Sequence, residues 1–96
     1  MWRLKESAHG NNKAANARLI RDKLEALRGL IPGLLRLDVG LDFSASPASS
    51  DVVLVTQFES RDALAAYQAH PAHRQVAAFV SEAAAERRLV DFESAP

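Results

Sequence analysis

The feature that most constrains the fold is a run of four consecutive apolar residues, Val52–Val55, inside the predicted strand Asp51–Glu59. Successive side chains of a strand point to opposite faces of a sheet, so this run predicts a strand that is buried on both faces. A sheet that carries such a strand needs cover on each side, because large exposed apolar surfaces promote association. The remaining segments of the chain must supply that cover, or a partner must.

Other segments have simpler strand patterns. In Leu35–Ser44, apolar residues alternate with polar residues or glycine, which indicates a strand with one apolar and one polar face. Shorter apolar patterns predict a first strand at Met1–Lys5 and a last strand at Arg87–Glu93. The polar segment Glu6–Asn12 predicts a surface turn, in which we expect His9 to be exposed to solvent.

Two helical regions lie between these strands. Residues Lys13–Gly29 place apolar side chains at spacings of three and four, which is typical of an amphipathic helix. In the second region, Ser60 is a predicted N-cap, and the first helical piece is predicted to end near His70. Pro71 then suits the first position of a second piece. The predicted apolar stripe of the first helix consists of Ala17, Ile20, Leu24, Leu27 and Ile31.

The predicted order of elements is strand, helix, strand, strand, helix, strand. We interpret residues 1–96 as a single domain, since the chain has 96 residues. This order predicts an α+β fold of the ferredoxin-like βαββαβ type, with a four-stranded antiparallel sheet and the helices on one face. Because the helices cover only one face, a second copy of the chain is the economical cover for the other.

The composition argues against several classes of function. Twelve Lys and Arg balance twelve Asp and Glu, so we expect no nucleic-acid partner that is held by phosphate neutralisation. The chain has no cysteine, and two neighbouring histidines supply too few ligands, so no metal is expected. The sequence has no glycine-rich phosphate loop, so no cofactor is expected. Without a membrane-length apolar run or a signal peptide, we expect a cytoplasmic protein with no membrane partner.

Several segments resemble the stress-responsive α/β-barrel (Dabb) domain family over nearly the whole chain. The most specific of them is the element Tyr-x-x-His-Pro-x-His, from Tyr67 to His73. The resemblance implies a homodimer in which two ferredoxin-like protomers stack through their sheet faces into a dimeric α/β barrel. The residues that carry the resemblance are Ile31-Pro32-Gly33, Phe58-Glu59-Ser60, Ala66-Tyr67, His70-Pro71-Ala72-His73, Val76–Phe79 and Val90–Glu93.

The resemblance also implies a site. One branch of the family closes polyketide rings without a cofactor, using the Tyr and the second His of this element in a pocket between sheet and helices. By position, Tyr67 becomes a hydrogen-bond donor and His73 a general base. The positive end of a helix that begins at Pro71 disfavours an imidazolium at His73, which keeps the base neutral. The family usually begins its first strand several residues earlier, often with a pocket histidine that has no counterpart before Trp2.

We expect the pocket to be lined by Trp2, Leu4, Phe79 and Val80, with His70 beside them. Each polar residue also has a structural interpretation that stays open. His73 satisfies a backbone carbonyl at the edge of the core, Tyr67 packs with its hydroxyl at the rim, and His70 bonds a terminal carbonyl of its helix.

Two functions are therefore predicted. The first is a stress-responsive dimeric α/β-barrel protein that binds a small hydrophobic or aromatic ligand between sheet and helices. The alternative is a cofactor-independent enzyme, a lyase of the polyketide-cyclase or isomerase type, with His73 as base and Tyr67 as donor.

Overall fold

The computed structural model describes residues 1–94. In this range the elements are β1 (Trp2–Leu4), β2 (Ser7–Ala8), β3 (Asn11–Asn12), α1 (Lys13–Glu25), β4 (Leu34–Leu41), β5 (Val52–Phe58), α2 (Arg61–Ala69), α3 (Pro71–Ala83) and β6 (Ala84–Arg87). The main sheet has the antiparallel order β4-β5-β1-β6, while β2 and β3 form a separate hairpin. The predicted ferredoxin-like arrangement is confirmed, with the hairpin as an addition.

The core lies where the helices pack on the sheet. Helix α1 contacts β4 and α3, and all five residues of its predicted apolar stripe are buried. Ile20 and Val52, which are 0 % and 1 % exposed, are among the most deeply buried side chains. Burying such side chains is the main favourable contribution to folding, about 1.5–3 kcal/mol for each large aliphatic residue. The core therefore holds α1 over the centre of the sheet.

Strand β5 is covered on one face only. Val52 is buried and Leu54 is partly buried against the core, whereas Val53 and Val55 are 37 % and 46 % exposed on the other face. One protomer therefore covers only one of the two faces of β5. The second face of the apolar run stays accessible in one protomer, as expected for a fold whose helices cover only one face of the sheet.

The last strand differs from its prediction at Arg87–Glu93. The structure places β6 at Ala84–Arg87, directly after α3. The reason is pairing: Leu4 lies opposite Ala84 and Trp2 opposite Arg87, and Met1 exchanges the final backbone hydrogen bonds with Arg88. In the described residues, the segment after Arg88 pairs with no other strand.

The helix boundaries follow local chemistry. Asn12 caps α1 by accepting the N–H of Ala15 at 2.9 Å. Ser60 caps α2 in the same way, and Pro71 begins α3 at its first turn, as predicted. Between α2 and α3, the backbone of His70 is extended, with φ −66° and ψ 133°. The two helices are therefore separate pieces that meet at an angle set by one residue.

The segment between β1 and α1 is a tight hairpin and not an open turn. His9 and Gly10 form its tip, with φ angles of 52° and 74°. His9 is exposed as a residue, as expected, but its side chain is only 20 % exposed. Its ring stacks on Phe79 at 4.0 Å between centroids, and Nε2 lies 3.0 Å from the Phe79 carbonyl oxygen. The hairpin is thereby fastened to α3.

The turn before β4 passes close to α2. Gly33 has a φ of +79°, and a Cβ at this position would lie 2.7 Å from the Cβ of Ala63. Its carbonyl also accepts the N–H of Glu59 at 2.9 Å. Only glycine allows both this backbone conformation and this approach, because any larger residue would collide with α2.

Candidate functional site

A cavity of about 410 Å³ lies between the sheet and helices α2 and α3. This volume is within the range of small-molecule sites, which is roughly 300–1,000 Å³. Its walls combine apolar side chains with a few polar groups, a composition that is also typical of such sites. The apolar lining consists of Trp2, Leu24, Leu54, Val76, Ala77, Val80, Ala84 and Ala85. The polar lining consists of Tyr67, His73, Ser81, Glu86 and Arg87.

Tyr67 is a buried member of this lining, with 5 % of its surface exposed. Its ring packs between Phe58 and His73, at centroid distances of 5.0 Å and 4.2 Å. The hydroxyl has no hydrogen-bond partner among residues 1–94, and burial raises the pKa of Tyr67 above its ordinary value. The phenol therefore stays protonated at neutral pH, and it carries a donor that the protein itself does not satisfy.

His73 is held as a neutral imidazole. Its Nδ1 lies 3.4 Å from the carbonyl oxygen of Gln68 and donates to it when that nitrogen carries the proton. Burial lowers the pKa of His73, the Gln68 carbonyl opposes this, and electrostatic interactions with Arg87 and His70 lower it further. In this tautomer Nε2 is the basic nitrogen, which is the form that a general base requires.

His70 is a helix cap and does not line the cavity. Its Nδ1 accepts the N–H of Ala72 at 3.1 Å, so it serves the start of α3. The interpretation that it bonds a terminal carbonyl of the preceding helix is wrong, because its Nδ1 is an acceptor for the first turn of α3.

The cavity brings together four of the seven residues that the sequence suggested for the site: Tyr67, His73, Trp2 and Val80. The other three lie elsewhere. Leu4 is 3 % exposed within the core, Phe79 packs on the β2–β3 hairpin, and His70 caps α3.

The sequence interpretation missed several lining residues. Val76 lies three residues after His73 and four before Val80 on α3, and this helical spacing was a usable signal for the cavity wall. Glu86 and Arg87 had no such signal, because their position depends on where β6 pairs with β1. The predicted strand began at Arg87, so the sequence pattern did not reveal the register in which β6 pairs with β1, and this register places both residues in the lining.

Two structural findings limit the chemistry of the described residues. Residues 1–94 contain no group of three or more His, Cys, Asp and Glu side chains placed to hold a metal ion. In the same range, no helix combines the length and the apolar character needed to cross a membrane.

The sequence model of the stress responsive A/B barrel domain matches residues 1–94. The chain belongs to this family. The family suggested by the Tyr67–His73 element is thus confirmed. No curated protein matches the chain.

Two solved structures have the same fold as this A/B barrel domain. One is a dimeric protein of unknown function and ferredoxin-like fold from Bacteroides fragilis NCTC 9343, with a TM-score of 0.81 and 23 % identity over 97 % of this chain and 89 % of that one. The other is a dimeric ferredoxin-like protein of unknown function from Thermobifida fusca YX, with a TM-score of 0.76 and 23 % identity over 90 % and 77 % of the two chains.

The Tyr67 hydroxyl, which is buried without a hydrogen-bond partner, leads to a prediction about the stability of this A/B barrel domain. We expect Tyr67→Phe to leave the free energy of unfolding unchanged or to raise it by up to about 1 kcal/mol, because it removes a buried donor without a partner. Urea unfolding measures this difference. As a control, Tyr67→Ala also removes the ring and is expected to lose about 3–5 kcal/mol. A clear loss for Tyr67→Phe would show that the hydroxyl is already satisfied.

The lowered pKa of His73 makes a second prediction. Above its ordinary pKa of 6.5, the ring is neutral in the folded and unfolded chains, and the stability is fully present. Below that value, the unfolded chain takes up a proton that the folded domain resists, so the free energy of unfolding falls with pH. We expect His73→Gln to reduce this fall when urea unfolding is compared at about pH 7.5 and pH 5.5. Equal falls in both proteins would contradict the assignment.

Proposed function

We propose that the protein binds a small hydrophobic or aromatic ligand in the cavity between the sheet and the helices. The observation that carries the proposal is the buried hydroxyl of Tyr67, which belongs to the cavity lining and lacks a partner among residues 1–94. A buried polar group without a hydrogen bond costs about 1–3 kcal/mol, and a ligand that accepts from it offsets that cost. The hydroxyl is closed to solvent in the structure, so the proposal requires the ring to move when the ligand binds.

The apolar lining supports the same proposal. Trp2, Leu54 and Val76 come from three different elements and form walls against which a planar apolar molecule can pack. Aromatic and aliphatic walls with a small number of polar groups are the usual design of sites for small organic ligands. The polar groups then fix the orientation of the ligand and the apolar walls supply most of the affinity.

A second candidate function is cofactor-independent proton transfer of the cyclase or isomerase type. The observation that favours it is the contact between the rings of Tyr67 and His73, at 4.2 Å between centroids, since one ligand can reach both. Nε2 of His73 would take a proton from a carbon next to a carbonyl, and the Tyr67 hydroxyl would donate to the resulting enolate oxygen. The proton then returns to another carbon of the substrate, so the step is balanced without a cofactor.

We also propose that the protein is a homodimer through the helix-free face of the sheet. Val53 and Val55 are exposed on this face, which no described segment of the chain covers. Both structures that share the fold are described as dimeric. Stacking two sheets would bury these side chains at a separation of about 10 Å between the sheets. We place this dimer in the cytoplasm and, as the family description suggests, in a stress response.

Ligand binding is tested by filling the cavity. Ala77 lines the cavity, and its neighbour Ala78 is exposed and does not. We expect the neutral aromatic probe 4-phenylbutanamide to bind with a dissociation constant in about the millimolar range. Ala77→Phe should weaken this binding at least about tenfold by occupying the space, whereas Ala78→Phe should leave it unchanged.

Calorimetry measures the affinity, and the fluorescence of Trp2 reports it independently, because Trp2 is the single tryptophan of the chain and lines the cavity. Absence of binding to the wild-type protein would refute the proposed site. Equal binding to the wild type and Ala77→Phe would place the probe elsewhere.

The dimer is tested with a charge on the helix-free face. We expect Val55→Lys to convert the protein to monomers, because a lysine between two sheets is buried without a partner. Ala65→Lys, on the exposed surface of α2, is the control and should stay dimeric. Light scattering after gel filtration gives the mass of each species. A monomeric wild type, or a dimeric Val55→Lys variant, would overturn the proposed interface.

A further inference from the structure

Arg87 is a polar residue of the cavity lining to which the sequence assigned no role. It lies at the last position of β6, opposite Trp2 of β1, and both residues line the cavity. The antiparallel pairing of these strands fixes this position, which places Arg87 on the same cavity as Tyr67 and His73. A positive charge is therefore part of a lining that is otherwise mainly apolar.

This charge is not neutralised by the described part of the chain. No carboxylate among residues 1–94 lies within 4.0 Å of the Arg87 guanidinium group. Glu86 also lines the cavity, but its carboxylate is 3.9 Å from Arg3 and 3.9 Å from Arg88. Two other arginines thus compete for the one acidic group in the lining, and Arg87 keeps its capacity to bind an anion.

The effect of Arg87 extends into the cavity. Its charge is one of the causes that lower the pKa of His73, so the two side chains interact electrostatically through the intervening space. Because Arg87, His73 and Tyr67 line one cavity, an anion bound at Arg87 would share that cavity with the other two residues. The arrangement gives the cavity a cationic end, a hydrogen-bond donor and apolar walls.

We infer that the cavity selects amphipathic anions, namely a carboxylate on a hydrophobic or aromatic body, and that Arg87 binds the carboxylate. This inference rests on the proposed ligand-binding function and names its ligand class. A guanidinium group presents paired N–H donors that match the two oxygens of a carboxylate. Among the arginines, Arg87 is the one that lines the cavity, and a single guanidinium matches a monoanion better than a phosphate dianion.

The test compares two probes of nearly equal shape that differ in charge. These are 4-phenylbutyrate and its neutral amide, 4-phenylbutanamide, each titrated by calorimetry at about pH 8, where the acid is ionised. We expect the wild-type protein to bind the carboxylate about fivefold or more tightly than the amide, as a partly exposed ion pair allows. Added salt should reduce this preference, since it screens accessible charges.

Three variants assign the preference to one residue. Arg87→Gln should bind the two probes equally. Arg88→Gln removes a neighbouring charge that does not line the cavity, and it should keep the preference. Arg87→Lys keeps the charge without the paired donors and should give an intermediate preference. Matching circular dichroism spectra and unfolding midpoints show that each variant is folded.

The possible results distinguish a failure of this inference from a failure of the proposed ligand-binding function. If the wild type binds the amide but shows no preference for the carboxylate, the inference is overturned and the ligand-binding function stands. If the preference persists in Arg87→Gln, Arg87 is not the anion-binding residue and the inference is also overturned. If neither probe binds the wild type, the proposed function fails together with the inference.

Discussion

The break between α2 and α3 is the constraint on which the site depends. In one continuous helix, Tyr67 and His73 would be six residues apart and would point to widely different sides, because each residue turns the helix by about 100°. Pro71 lacks the N–H that would continue α2, and Nδ1 of His70 accepts the N–H of Ala72 to begin a new helix. The change of direction at His70 brings the two rings to 4.2 Å. Contact between the rings of Tyr67 and His73 is therefore a consequence of one proline and one cap.

The fold was largely predictable because its elements have local signals. The alternating pattern of Leu35–Ser44 and the caps at Asn12 and Ser60 depend on nearby residues, and the structure places β4, α1 and α2 accordingly. The last strand was not predictable in this way. Leu89–Phe92 has the apolar composition of a strand, but strand formation requires a partner, and the pairing with β1 ends at Met1. A composition signal cannot show where a neighbouring strand begins.

The site was predictable only in part, for a similar reason. Tyr67 and His73 are close in sequence and belong to one sequence motif, Tyr-x-x-His-Pro-x-His, so a family resemblance was enough to pair them. Phe79 is apolar and lies next to Val80, yet the hairpin tip at His9 packs on it and removes it from the cavity wall. That contact joins residues seventy positions apart. Arg87 entered the lining through strand register. Long-range packing, and not residue type, determines which of these side chains line the cavity.

Strand β5 explains how ligand binding and dimer formation can be independent in so short a chain. Because its side chains alternate between the faces of the sheet, Leu54 lines the cavity while Val53 and Val55 are exposed on the opposite face. A strand with polar residues at alternate positions would serve either the cavity or an interface, but not both. The uninterrupted apolar run is therefore what the sequence must supply if the sheet is to bind the proposed ligand on one face and the proposed second protomer on the other. A change at Val55 would act on the proposed interface without touching the cavity wall, since only the backbone of β5 is common to the two.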